Sequence, residues 1–145
     1  MGIVHYDAMN YLAKTGVVKE RRIKVSAGQT TSFLWEGENV MSTPSMISEM
    51  EETCRLLVKE DCIVDSNWDS VGTLVNIKHL AATPVGAEII VRAKILSFEE
   101  RRVSFAVEAS DNLERIGEGI HERALIEVPR FRQKFIEKQR KLGLR

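Results

Sequence analysis

The chain has 145 residues, 43% of them hydrophobic and 29% charged, which is enough apolar surface for one domain with its own core and too much for a disordered chain. Its 21 basic residues balance its 21 acidic ones, which argues against nucleic-acid binding through the whole surface. No apolar run approaches the ~20 residues that span a bilayer, and the first residues lack the basic-then-apolar order of a signal peptide.

In chain order, Asp7 to Gly16 reads as a short helix, capped by Asp7 and ended by Gly16. Val17 to Val25 mixes apolar and basic residues, as an edge strand does. Gly28 to Met41 has no period. It carries Phe33, Leu34 and Trp35, expected to pack on the core or on a ligand pocket, and then a polar Glu36-Gly37-Glu38-Asn39 turn.

The run from Thr43 to Glu60 is the longest strongly helical stretch before the C-terminal tail. Ser42 or Thr43 can cap it, and Pro44 suits a first turn, where its missing N–H costs nothing. At 100° per residue Met46, Met50, Cys54 and Leu57 share one face, with Ile47 and Val58 beside them. Glu51 falls on the rim of that stripe, while Glu49 and Glu52 are expected to point further into solvent. Eight helical residues separate Cys54 from Cys62 by roughly 12 Å, too far for a disulfide, so a reducing, cytoplasmic setting is expected.

After the turn-rich Asp65–Ser70 link the period changes from 3.6 to 2. Val71, Thr73, Val75, Ile77 and His79 alternate with the residues between them and read as one strand face. Thr83-Pro84-Val85-Gly86 reads as a type II turn. Strands follow at about Glu88 to Phe98, at Val103 to Ala109 and from Arg115 to Val128, separated by Glu99-Glu100-Arg101 and Asp111–Glu114. Pro129 ends the last one, and Arg130 to Lys141 reads as a basic, solvated helix with Phe131 and Phe135 on one side.

A strand, a long helix and then four strands joined by short turns give an α+β chain with an antiparallel meander. The helix must bury its stripe against one face of that sheet. One long central helix wrapped by a curved antiparallel sheet is the hotdog fold, here over residues 17–145, with 1–16 as an N-terminal extension. Its open sheet edge is expected to be covered by a second copy, making a homodimer.

His79 ends an inward-facing apolar row, where an ionisable side chain needs a partner: either a backbone carbonyl near the strand end or a catalytic neighbour. Periodicity leaves Glu51 as a solvated flank or a site residue, and Thr43 as a cap or a site residue. His121 and Arg123 share a strand face opposite Glu122; Gly117 and Gly119 open that face to a ligand or to a sheet-packing contact. The three histidines are too scattered for a metal motif, so no metal or cofactor is expected. There is no G-x-S-x-G elbow, phosphate loop or dinucleotide fingerprint, and neither cysteine has an obvious activating neighbour.

Together, Lys78-His79-Leu80-Ala81-Ala82-Thr83-Pro84-Val85-Gly86 and Ile116-Gly117-Glu118-Gly119-Ile120-His121-Glu122-Arg123 resemble the fluoroacetyl-CoA thioesterase family of hotdog proteins, and the likeness runs from about Val17 to Phe135. The resemblance implies thioester hydrolysis carried by a threonine, a glutamate and a histidine, which match Thr43, Glu51 and His79. It further implies that Gly72 and Arg123 serve the substrate. Glu51 would attack or activate the nucleophile, Thr43 would hydrogen-bond to it and His79 would move the proton, across or beside a dimer interface. Pro44 and Glu52 follow the threonine and glutamate where the family has a small residue and an aromatic one, and Phe33 and Trp35 do not reproduce its lid phenylalanines. These departures point to a small acyl-CoA other than the fluorinated one. The other readings are a hotdog protein that binds an acyl-CoA or a small ligand without hydrolysis, and a hydratase, which ranks lower because no Asp stands a few residues before a His.

Overall fold

The computed structural model describes residues 10–31, 33–37 and 39–144. Five strands form one antiparallel sheet: β1 (Val18–Lys24), β2 (Trp68–His79), β3 (Glu88–Glu99), β4 (Arg102–Ser110) and β5 (Arg115–Glu127), in spatial order β1-β3-β4-β5-β2. Helix α1 (Thr43–Asp61) packs on one face of the sheet, and α2 (Val128–Lys141) follows β5. This is the hotdog arrangement expected from the element order.

The apolar periods explain the packing. Met46, Met50, Cys54, Leu57 and Val58 of α1 are fully buried against Ile89, Val91, Ala93 and Ile95 of β3 and against Val103, Phe105, Val107 and Ala109 of β4. Alternation on β3 survives a register shift between Ile95 and Ser97, after which Phe98 takes the inward place. The meander reading holds only for β3, β4 and β5. The β2 strand pairs with β5, and the 80–87 connection carries the chain to β3 in the middle of the sheet. Short turns suggested neighbours, but a 12-residue strand finds its longest match along the 13-residue β5.

Ser42, not Thr43, caps α1: its Oγ accepts the Ser45 N–H at 3.2 Å, and Pro44 sits in the first turn. Ser42→Ala is expected to lower stability by ~1 kcal/mol, read as a shift in denaturant midpoint. Two solvent assignments also change. Glu49 is half-buried, accepting from Gln29 Nε2 at 2.7 Å and lying 3.4 Å from Arg21 Nη1. Glu52 is held by Arg55, which lies between it and Asp69 and keeps the Glu52 carboxyl below its usual range. The Thr83–Gly86 turn sits one residue later than read. It is closed by Ala87 N–H to the Pro84 carbonyl at 3.3 Å, with Gly86 at φ 88° in the position that needs positive φ.

The N-terminal helix is not formed over residues 10–16; that stretch runs extended, and Asp7, Ala8 and Met9 lie outside the described residues. Tyr11 is fully buried, 5.9 Å from Phe98 and 5.5 Å from Trp68 between ring centroids. Leu12 N–H donates to the Cys62 carbonyl at 2.8 Å, and Gly16 N–H to that of Ile95 at 2.8 Å. An aromatic buried in tertiary contact outweighs the marginal helicity of ten residues. Phe33, Leu34 and Trp35 are exposed, so of their two expected places the core of this chain is not the one they take, and Glu38 of the adjoining turn lies outside the described residues. No residue of α2 is buried, in line with the solvated basic helix expected there.

Candidate active site

With Ser42 as the cap, the hydroxyl of Thr43 is left for another use. Its Oγ1 lies 2.7 Å from Nδ1 of His79, the last residue of β2. The pair borders an open recess of about 360 Å³ with Val40, Leu80, Ala81 and Ala82. Isolated bridges of Thr30 to Met41 and of Val40 to Pro84 pin the segment that delivers Thr43. His79 Nε2 is buried with no hydrogen-bond partner among the described residues. A buried ring nitrogen in that state is available to a reacting group.

Glu51 turns toward the sheet, not into solvent. A Cβ built on Gly72 would lie 3.2 Å from Glu51 Oε1, 3.2 Å from His121 Cε1 and 3.6 Å from Arg123 Nη1, so three side chains converge above a residue that has none. Arg123 is 6% exposed. Its Nε donates to Ser70 Oγ at 2.7 Å and its Nη2 to the Ser70 carbonyl at 2.7 Å. Burial lowers its pKa, and the nearby Cys54 and Glu51 push the other way. Cys54 and Cys62 are free and buried, and burial raises their thiols to about 12 and about 11, unsuited to nucleophilic work.

One chain brings Thr43 to His79 and Glu51 to Gly72 and Arg123, but it does not join the two groups. Thr43 and Glu51 are eight residues apart on α1, ~12 Å along its axis. The uniform face read for β2 is broken by a bulge between Gly72 and Leu74. Before it, Ser70 and Gly72 face α1; after it, Val75, opposite the buried His121, and then Ile77 and His79 do so. Val71 and Thr73 therefore do not share the face of His79. Gly117 and Gly119 serve packing: a Cβ on the first would meet Met46 Sδ at 2.5 Å, and one on the second the Asn76 carbonyl at 2.1 Å. Ser70 carried no mark in the sequence, because a buried serine on a strand has no periodic signature. Among the described residues no three His, Cys, Asp or Glu side chains form a group that would hold a metal ion.

His121 is fully buried, and burial, helped by the Arg123 charge, lowers its pKa. Its folded form therefore resists the proton that the unfolded chain accepts near 6.5. Stability from this group is complete above that pH and is lost as pH falls below it. The denaturant midpoint is expected to drop between pH 7.5 and 5.5, and His121→Gln is expected to shrink that drop.

The sequence model for the fluoroacetyl-CoA-specific thioesterase family, FlK, matches residues 25–129. The fluoroacetyl-CoA thioesterase of Streptantibioticus cattleyicolor is 36% identical over 103 residues, covering 71% of this chain and 73% of that protein. A solved structure of the fluoroacetyl-CoA thioesterase FlK superposes with a TM-score of 0.78 at 30% identity, covering 86% of this chain and 96% of that one. A Thermus thermophilus member of the thioesterase superfamily shares the fold, with a TM-score of 0.80 at 23% identity over 91% of this chain and 97% of that one. The two convergent side-chain groups thus stand on a scaffold whose sequence match covers most of the domain, and the chain belongs to the fluoroacetyl-CoA-specific thioesterase family.

Proposed function

We propose that this thioesterase hydrolyses a small acyl-CoA to the free acid and CoA at a site completed by two subunits, with Thr43 and His79 from one and Glu51 from the other. The observation that carries the proposal is the Thr43–His79 pair at 2.7 Å, with the far ring nitrogen partnerless among the described residues and Glu51 ~12 Å further along α1 in its own chain.

The outer edge of β2 is unpaired in the sheet, and Leu74 and Val75 on it are exposed. An antiparallel pair of β2 edges centred on Asn76, with the bulged Thr73 left unpaired, sets Gly72 of one subunit opposite the partner's His79. Both residues lie on the α1 side of the sheet, as direct partners in an antiparallel ladder must. Glu51, standing over Gly72, then faces the partner's His79 and Thr43.

In this arrangement the thioester carbonyl lies against Gly72, with Arg123 behind it. Glu51 attacks the carbonyl or takes a proton from the attacking water, giving a tetrahedral intermediate. His79 Nδ1–H donates to Thr43 Oγ1, so that its bare Nε2 accepts the proton lost by water and passes it to the departing CoA sulfur. Net, one water and one thioester become one carboxylic acid and one thiol. No helix among the described residues is long and apolar enough to cross a membrane, and two buried free thiols support a reducing, cytoplasmic compartment.

CoA release, followed with a thiol reagent over a panel of short and medium acyl-CoAs, tests the reading. The protein is expected to turn over a short acyl-CoA, and Glu51→Ala and His79→Ala to lose at least ~100-fold each. Turnover indifferent to both changes would remove these residues from the site. No release from any substrate, with acyl-CoA still raising Tm, would favour the ligand-binding alternative.

A further inference from the structure

We infer that His121, which touches neither the recess nor the surface, is a positioning residue for the reaction: its ring holds the Arg123 guanidinium in the place from which it orients Glu51 over Gly72. The inference rests on the reading of Glu51 as the group that attacks or activates water.

The geometry dictates the ring's state. Nδ1 lies 2.8 Å from the Leu74 carbonyl oxygen, which only accepts, so Nδ1 carries the hydrogen. Burial keeps the ring neutral, so Nε2 is a bare acceptor. That acceptor faces Arg123 Nη1 at 3.2 Å, and a guanidinium only donates. The relay therefore runs one way, from Arg123 Nη1–H to His121 Nε2 and from His121 Nδ1–H to Leu74 O. Leu74 is the residue at which the β2 ladder resumes after its bulge.

The other nitrogens of Arg123 are taken by Ser70. Nη1, the one held by His121, is also the one beside Gly72 and Glu51. No ion pair within 4.0 Å joins Glu51 to Arg123 among the described residues, so the carboxylate feels the cation without being locked to it and stays free to react. A catalytic carboxylate gains from a cation held near it and loses if that cation closes into a tight pair, since a paired oxygen is a poorer nucleophile or base. His121 sets that distance by taking one of the two Nη1 hydrogens and so fixing, with Ser70, the plane of the guanidinium.

The two amide replacements of histidine separate the two ends of the relay. Glutamine reaches to the place of Nε2 and keeps an acceptor for Arg123; asparagine reaches only to the place of Nδ1 and keeps the donor to Leu74. His121→Asn is expected to lower kcat ~10–100-fold with KM within ~3-fold, as misplacement of a reacting group does. His121→Gln is expected to recover at least ~10-fold of that loss. A structural role alone would rank the variants by melting temperature and would not split kcat from KM. Nitrogen-15 NMR of the wild-type imidazole, which needs no variant to fold, is expected to show a neutral ring with protonated Nδ1 and bare Nε2 at pH 7.5.

Glu51→Gln, run alongside, keeps two failures apart. If it retains turnover, the reading of Glu51 is wrong. If it loses turnover while His121→Asn keeps the wild-type kcat, or if Nε2 proves protonated, the positioning role is overturned and the reading of Glu51 stands.

Discussion

Refolding an equal mixture of Glu51→Ala and His79→Ala subunits is expected to restore about a quarter of wild-type turnover from two proteins that each lack it. The arithmetic follows from the proposed division of the site between chains. In a mixed dimer, one site takes Glu51 from the His79→Ala subunit and His79 from the Glu51→Ala subunit, and is whole; the other site carries both changes. Random pairing makes about half the dimers mixed, each with one working site of two. A site built within one chain predicts no recovery, because every subunit would still lack one group. The expectation comes from the fold: α1 rises ~12 Å between Thr43 and Glu51, while His79 Nδ1 is already held at 2.7 Å by Thr43. CoA release after refolding and size-exclusion chromatography reads the result. Absence of recovery, with each parent dimeric and inactive, would sink the shared site.

Gly119→Ala is expected to destabilise the protein by ~3 kcal/mol or more, the upper range for overpacking a well-packed site. The added Cβ would stand 2.1 Å from the Asn76 carbonyl oxygen and 2.7 Å from the Ile77 Cα, both main-chain atoms that no rotamer change can move. To make room, the end of β2 must separate from β5, and His79 lies two residues beyond Ile77 on that end. Activity is therefore expected to fall with stability. Gly117→Ala should cost less, because its nearest obstacle is the flexible end of Met46. Gly28→Ala is the control: nothing lies within 4 Å and its φ is not positive, so its midpoint should stay or rise slightly. A urea series on the three variants ranks them; equal midpoints for Gly119→Ala and Gly28→Ala would show that β2 yields without cost.

Much of this protein was legible in one dimension because its regular elements follow local periods. The α1 stripe of Met46, Met50, Cys54 and Leu57, and the alternation of Val103, Phe105, Val107 and Ala109, follow from 100° and 180° per residue, and all eight are buried. Two motifs around His79 and Arg123 carried the family. What failed depended on contacts between distant segments. Residues 10–16 had a helix-like composition, yet Tyr11 was taken into the core by Phe98 and Trp68. Phe33 and Trp35, expected on the core or on a ligand pocket, are not in the core.

The candidate site divides along the same line. The resemblance to the family put Thr43, Glu51 and His79 forward for acyl-transfer chemistry, since matching a motif needs only identity and order. Tertiary structure alone decided that Ser42 frees Thr43 from capping, that a one-residue bulge turns Gly72 and His79 to the same side, and that Arg123 is held by Ser70 and His121. The reason is physical. A bulge changes side-chain parity by one and leaves no mark in an alternating pattern. A buried guanidinium is satisfied by acceptors whose distance along the chain is arbitrary, such as Ser70, 53 positions before Arg123.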